Sequence, residues 1–484
     1  MKVVRIIARL NVGGPAKHVA WLTAGTRRAG IESELIAGTV PPGEDDMSYF
    51  AAGQGIEPII LPEMTREVSP KDAVTVWKLY HLFRRLRPDI VHTHTAKAGT
   101  VGRAAGLCYR WLTPSALVGR PRACRFVHTY HGHIFHSYYG RLKTLFFLTI
   151  ERFLARVATD RIVAISQQQF REIHGRFGVG RARQFTVIPL GLDVEAFANW
   201  RERRAAARVE LGAGADELLV GIVGRLTEIK NHKLFIEAAH AYLMRQAGGT
   251  GAARRVRFVV IGDGQLRGEL EAQARALGIA ERVTFTGMRS DPENFYPALD
   301  IVALTSLNEG TPLTLIEAMA NARPVVATAV GGVVDLVGRP VEHEAAHGMN
   351  DARAATNREA DAASVAAATA ATTATGDVAY AVCERGVRVR TGDAEAFCEA
   401  LRLLVSDEEL RRALGERGRA FVVEHYSKER LVADVLNLYE ELMSPRRLPD
   451  SKTRRTTTAS AATAGATTKQ GSVPGIEPAR GKGD

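Results

Sequence analysis

The chain has 484 residues, 46% hydrophobic and 24% charged, an ordinary globular composition with room for two domains of roughly 100–200 residues each. Its formal net charge of +11 favours anionic partners, whether nucleotide-linked substrates, nucleic acid or an anionic membrane face, although part of that charge lies in a C-terminal tail. Four cysteines without a C-x-x-C pair exclude a zinc ribbon or thioredoxin-type motif, and no uncharged apolar run reaches the ~18 residues that a membrane span needs.

Taken in chain order, short apolar strand patterns alternate with helix patterns, which predicts parallel sheets covered by helices. In Met1–Arg9, Arg5 and Arg9 interrupt the apolar run, so Val3–Ala8 reads as a buried first strand and not as a signal peptide. Asn11-Val12-Gly13-Gly14-Pro15 follows it. Gly13 and Gly14 would let the backbone approach a ligand at a helix N-terminus, or would simply make a tight strand-to-helix turn. Further strands are expected at Ser33–Ala37, Pro58–Leu61, Asp89–His92, Arg125–Thr129, Arg161–Ile165 and Phe185–Ile188. Lys143–Arg156 (KTLFFLTIERFLAR) is a basic, Phe- and Leu-rich helix pattern, suited to packing on a sheet or to lying on a membrane. Pro189-Leu190-Gly191-Leu192-Asp193 reads as a domain junction.

After a charged helix at Trp200–Leu211 the alternation restarts, with strands at Leu218–Val223, Val256–Ile261, Val283–Thr286, Ile301–Leu304 and Pro324–Thr328. Arg385–Arg390 is a late strand, and helices follow at Ala394–Leu404, Glu408–Glu424 and Lys428–Leu442. Two consecutive doubly wound, Rossmann-like domains are therefore expected, with a cleft between them and ligands beyond the carboxyl ends of the strands. The boundaries read as 1–192 and 193–427, with a terminal helix at 428–444 and a disordered tail at 445–484. The Ala/Thr-rich stretch 342–382 reads as a flexible insertion.

Several strand ends carry chemistry-bearing residues. Gly224-Arg225-Leu226 with Lys230 places two cations where a diphosphate would sit, Arg225 as a fork and Lys230 as a point charge. In Glu309-Gly310-Thr311-Pro312-Leu313 through Glu317, Gly310 permits close approach and Pro312 suits a helix's first turn. Glu309 and Glu317 could each accept hydrogen bonds from sugar hydroxyls. Histidines cluster as His92/His94 and His128/His131/His133/His136, but neither cluster has a carboxylate or thiol nearby to complete a metal site. A single histidine orienting a reacting group fits better. Two literal motif matches fail on context. Gly262–Gly268 has three residues between its last two glycines where the dinucleotide fingerprint has two, and His343-Glu344-Ala345-Ala346-His347 opens a low-complexity stretch.

The phrases NVGGPAKHV (11–19), DIVHTHTAKAGTVGR (89–103), HTYHGHIF (128–135), VIPLGLD (187–193), GIVGRLTEIKNH (221–232), VVIGDGQLR (259–267) and the 308–332 block together resemble glycosyltransferase family 4. The resemblance spans Met1 to about Leu442, apart from the insertion, and is strongest toward bacterial capsule, exopolysaccharide and O-antigen enzymes. It implies an α/β GT-B fold, two Rossmann-like domains with an interdomain cleft, a terminal helix at 428–444 that crosses back onto the first domain, and retaining sugar transfer from a nucleotide-sugar donor to a glycan or lipid-linked acceptor. Arg225 and Lys230 would hold the donor diphosphate beside Gly224, and Glu317 would bind the nucleotide ribose. Glu309 would bind the transferred sugar, with Gly310, Thr311, Pro312 and Leu313 offering backbone support. Gly13 and Gly14 would line the acceptor side. His131 would assist catalysis, with His133 as its rival.

The same resemblance implies no cofactor and no metal, and front-face attack in which the donor phosphate receives the acceptor's proton. It implies no nucleic-acid partner, and a cytoplasmic protein that docks peripherally on the inner face of the plasma membrane. Two other readings share this architecture: a nucleotide-sugar 2-epimerase and a non-catalytic nucleotide-sugar-binding descendant.

Overall fold

The structure, a computed structural model, describes residues 1–11, 13–41, 46–65, 69–131, 141–247, 254–342 and 379–444. His133, the H-E-x-x-H match at 343–347, most of the expected insertion and the expected tail lie outside the described residues. Met1–Leu442 forms one compact unit.

Within that unit the first sheet holds β1 (Lys2–Ile7), β2 (Glu32–Gly38), β3 (Ile59–Leu61), β4 (Ile90–His94), β5 (Arg125–Thr129), β6 (Arg161–Ala164) and β7 (Phe185–Val187). Their order is β3-β2-β1-β4-β5-β6-β7, and every pairing is parallel. The second sheet holds β8 (Glu217–Val223), β9 (Arg255–Ile261), β10 (Val283–Gly287), β11 (Ile301–Leu304), β12 (Val325–Thr328), β13 (Tyr380–Cys383) and β14 (Gly386–Val389), ordered β10-β9-β8-β11-β12-β14-β13. The orders reverse between β1 and β4 and between β8 and β11, which opens a crevice at the carboxyl ends of those strands; in the second sheet β13 also folds back antiparallel on β14. The two doubly wound sheets form the GT-B architecture.

Composition misassigned one strand. Residues 380–382, read as the end of a flexible insertion, belong to β13, which pairs antiparallel with β14 through Val382 opposite Val387. β13 is an edge strand with one neighbour, yet Val382 and Cys383 are buried in the core of the second half.

The helices that position the site are α1 (Gly14–Arg28), α2 (Lys71–Leu86), α3 (Ala96–Trp111), α4 (Arg141–Val157), α5 (Leu313–Ala320) and α6 (Lys428–Met443). The last comes from the far end of the chain, yet it packs on the first sheet. Leu431, Val435, Leu438, Tyr439 and Leu442 share a core with Val3, Leu22, Ile90, Val127, Val163 and Ile188. Burying such side chains is worth about 1.5–3 kcal/mol each. Gly25 of α1 lets α6 come this close, because a Cβ there would lie 2.4 Å from Val432 Cγ2. The chain's two passages between the halves run side by side: Leu192 bridges to Ser427, and Arg430 donates to the carbonyls of Pro189 (2.9 Å) and Leu190 (2.6 Å).

One polar network crosses this apolar interface. Arg5 of β1, wholly buried, donates to Thr26 Oγ1 (3.1 Å), to Ser33 Oγ and to the Tyr439 hydroxyl (3.2 Å). That hydroxyl also lies 2.7 Å from His92 Nδ1, and His92 Nε2 lies 2.7 Å from Thr129 Oγ1. Burial pulls the Arg5 guanidinium below its ordinary pKa, a cost that the Tyr439 contact partly offsets. Tyr439→Phe strips a partner from two buried groups at once. It is expected to lower unfolding stability by about 1–3 kcal/mol in urea titrations, with the denaturant slope unchanged.

Candidate active site

The first half supplies three histidines from three elements. The β1–α1 turn carries Gly13 and Gly14, and α1 starts at Gly14 with Pro15 in its first turn. One helical turn further on lie Lys17 and His18. His94 ends β4, and His131 stands just past β5. The three rings converge: His94 Nδ1 lies 3.0 Å from His131 Nε2, and the His18 ring centroid lies 4.7 Å from that of His131 and 5.6 Å from that of His94.

Strand alternation sorts the histidines differently from their order in sequence. His92 and His94 share a face, with ring centroids 4.2 Å apart, whereas His128 points the other way and bonds Thr93 Oγ1 at 2.9 Å. His128 is therefore a strand-locking residue and not part of the cluster. Burial pushes the pKa values of His18, His92, His94 and His128 well below the ordinary 6.5 and that of His131 down to about 3. All five rings are neutral at pH 7. Next to His131, buried Tyr130 donates its hydroxyl to Glu151 of α4, and Glu151 also accepts from Arg103 of α3 at 2.7 Å. Those contacts clamp the end of β5 between two helices.

The second half supplies the charges. Past β8, the Gly224-Arg225-Leu226 loop is braced by the loop after β9: Leu226 N–H donates to Asp263 O at 2.9 Å, and a Cβ on Gly262 (φ +142°) would lie 2.0 Å from Gly224 O. The Gly262–Gly264 glycines thus serve loop packing, which is why they mimic a nucleotide fingerprint without being one. Arg225 is exposed. Lys230 ion-pairs with Glu309 Oε1, and Ser306 Oγ donates to the same oxygen at 2.7 Å. Thr305 holds the Lys230 loop through the carbonyls of Lys230 (3.1 Å) and Asn231 (2.8 Å). Pro312 is the residue capping α5 and not within its first turn, because its ψ of 110° is extended. Gly310 accepts from Gly332 N–H at 2.6 Å.

Glu317, on α5, is 7% exposed. Desolvation raises its pKa, while Lys17 and Tyr296 oppose that rise; the Tyr296 hydroxyl donates to Glu317 Oε2 at 3.3 Å. Lys17 Nζ reaches Glu317 Oε1 at 3.9 Å, and a Cβ on Gly14 would sit 3.9 Å from Leu313 Cδ2. The first half's glycine turn and the second half's glutamate block therefore face each other across the cleft. The fold brings Lys230 to Glu309, Gly14 to Leu313 and Lys17 to Glu317, while His131 contacts His18 and His94. Sequence reasoning missed Lys17 and His18. Their signal was present in the Gly-Gly-Pro-Ala-Lys-His run, since residues one turn past a glycine-lined helix start look back toward the cleft.

Two family models match the chain, one described as Glycosyltransferase Family 4 over residues 12–196 and one as Glycosyl transferases group 1 over 217–358. The chain belongs to glycosyltransferase family 4. The chain is 29% identical over 279 residues to the Escherichia coli UDP-Gal:alpha-D-GlcNAc-diphosphoundecaprenol alpha-1,3-galactosyltransferase, covering 57% of this chain and 67% of that one. It is 36% identical over 182 residues to the D-inositol 3-phosphate glycosyltransferase of Nocardia farcinica, covering 36% of this chain and only 38% of that protein. The fold matches Anabaena HepE in complex with UDP and glucose at a TM-score of 0.66 and 18% identity, over 91% of this chain and all (100%) of that one.

The neutral histidines make this fold acid-sensitive. Their folded pKa values lie below the unfolded value, so the unfolded chain binds more protons between about 3, where folded His131 titrates, and 6.5. Unfolding free energy should rise with pH through that window and level off above it. Urea midpoints measured across the range check this, and His131→Asn should flatten part of the rise.

Proposed function

We propose that this protein is a retaining glycosyltransferase that moves a sugar from a nucleotide-sugar donor to a hydroxyl of a glycan or lipid-linked acceptor, in cell-surface polysaccharide synthesis. The observation that carries the reading is the Lys230–Glu309 pair at the carboxyl ends of the second sheet, with Lys17 reaching Glu317 from across the cleft. In this reading the donor diphosphate takes Lys230 away from Glu309 and is gripped by Arg225. Glu309 then accepts from the transferred sugar's hydroxyls, and Glu317 from the ribose. The glycine turn leaves space for the acceptor.

The reaction consists of one exchange. The acceptor oxygen bonds to the anomeric carbon on the face that the phosphate leaves, the carbon–phosphate-oxygen bond breaks, and the acceptor's proton passes to the departing phosphate. Arg225 and Lys230 stabilise the charge that builds on that phosphate. Neutral His131 can donate or accept a hydrogen bond at the sugar without adding charge. The donor set contains fixed cations, so the reading needs no metal.

The test is thermal-shift screening with UDP-, GDP-, ADP- and TDP-sugars, followed by transfer assays with the donor that binds. Arg225→Ala should abolish the ligand-induced rise in melting temperature while leaving the unliganded melt unchanged, because Arg225 is exposed. Glu317→Ala should cut transfer by about 10²-fold or more. Full activity of Glu317→Ala would sink the assignment, and epimerised donor in the absence of acceptor would replace transfer with the 2-epimerase reading.

A lipid-linked acceptor implies work at a membrane surface on the cytoplasmic side. No helix among the described residues is long and apolar enough to cross a membrane. Peripheral docking is favoured by α4, whose outward side presents Leu145, Phe146, Phe153 and Val157 at 57%, 59%, 57% and 40% exposure. Such a face costs solvation in water and gains by entering a lipid headgroup layer, with Arg156 exposed beside it to meet anionic lipid. Co-sedimentation with phosphatidylglycerol vesicles should be strong for the native protein and weak for a Phe146→Glu/Phe153→Glu double variant. Equal binding to neutral and anionic vesicles would overturn the docking reading.

A further inference from the structure

The histidine cluster has a property that sugar transfer does not require. His18, His94 and His131 each offer a ring nitrogen, and these three atoms lie within 4.8 Å of one another. His18 is 3% exposed and His94 wholly buried, whereas His131 is half-buried and opens the cluster on one side. Apart from the single contact between His94 and His131, the rings satisfy little of their own polarity. His18 Nδ1, His94 Nε2 and His131 Nδ1 are all buried with no hydrogen-bond partner among the described residues. These orphan atoms mark a polar cluster short of partners; the two nitrogens that converge, His94 Nδ1 and His131 Nε2, are the other atoms of their rings and share one contact.

We propose that His18, His94 and His131 form a three-imidazole site for a divalent first-row transition cation, with zinc as the leading candidate. Imidazole binds such ions at about 2.0–2.1 Å, which puts two ligand nitrogens of a tetrahedral site about 3.3 Å apart. His94 Nδ1 and His131 Nε2, which now share a hydrogen bond at 3.0 Å, lie close to that spacing. Closing His18 onto them takes a side-chain adjustment on the first turns of α1. Neutral rings are the form that a metal requires, and burial keeps all three neutral at pH 7. Three protein nitrogens leave a fourth coordination position for water or another ligand.

The site brings together residues separated by 76 and 37 positions in sequence (18 to 94, 94 to 131), which is why spacing gave no ligand pattern. Oxygen-loving magnesium or calcium is not the expected occupant, because the cluster contains no carboxylate. Occupancy would also consume a nitrogen of His131. If His131 assists transfer, as the reading above has it, metal binding inhibits turnover; this consequence rests on that reading, whereas the site itself does not.

The test uses the full chain without a polyhistidine tag, stripped with a chelator and titrated with Co2+. A saturable visible d–d spectrum at one equivalent, displaced by Zn2+, is expected. His18→Ala and His94→Ala should each weaken Co2+ binding about tenfold or more, with circular dichroism confirming that both variants fold. Mg2+ should not compete. Absence of a saturable spectrum, or one that survives in both variants, overturns the site. Zn2+ that binds without slowing transfer upholds the site and removes His131 from the reaction.

Discussion

The hydroxyl of Tyr439 lies between a buried guanidinium and a buried imidazole, and the first half of the molecule is organised around it. Arg5 sits wholly buried in the middle of β1, without a carboxylate partner among the described residues. A charge in that position is tolerable only when neutral oxygens surround it, and Thr26, Ser33 and Tyr439 provide them. The third of these comes from α6, so the first sheet is incomplete until the end of the chain returns. The requirement links residues 434 positions apart and gives α6 a specific seat, which apolar packing alone would leave free to slide.

The same hydroxyl reaches toward the chemistry. It holds His92, His92 stacks on His94, and His94 bonds His131. A helix that the chain makes after finishing the second half therefore orients the histidines of the first. The two passages of chain beside Leu192 and Ser427 form the physical joint about which the halves could rotate. Any closure of the cleft would move Lys17 and Glu317 against each other while α6 stays seated on the first sheet.

The two halves manage polarity in opposite ways. The second half keeps its functional charges paired and partly open to solvent, as in Lys230 with Glu309, so that an anionic ligand can exchange partners at low cost. The first half buries histidines until they are neutral and leaves several of their nitrogens unmatched. A charged ligand suits the one, and a hydroxyl or a metal ion suits the other.

Much of this was readable from residue order. The apolar runs and the turns between them locate the strands of both sheets because a strand buried on both faces is mostly apolar, Arg5, His92, His94 and His128 being buried polar exceptions. The glutamate block and the Arg225/Lys230 loop were visible because strand ends of such sheets are where ligands bind. The edge strand Tyr380–Cys383 escaped notice because its residues follow directly on an Ala/Thr-rich run and read as that run's end. What only the folded chain decided was adjacency. Whether His128 or His94 joins His131 depends on the strand pleat, the Lys17–Glu317 contact depends on how two sheets meet, and the burial of Arg5 depends on a helix that begins more than 400 residues later. Local sequence dictates which backbone a segment adopts, because periodicity and propensity act over a few residues. Which side chains then touch is set by long-range packing, and no short window of sequence contains it.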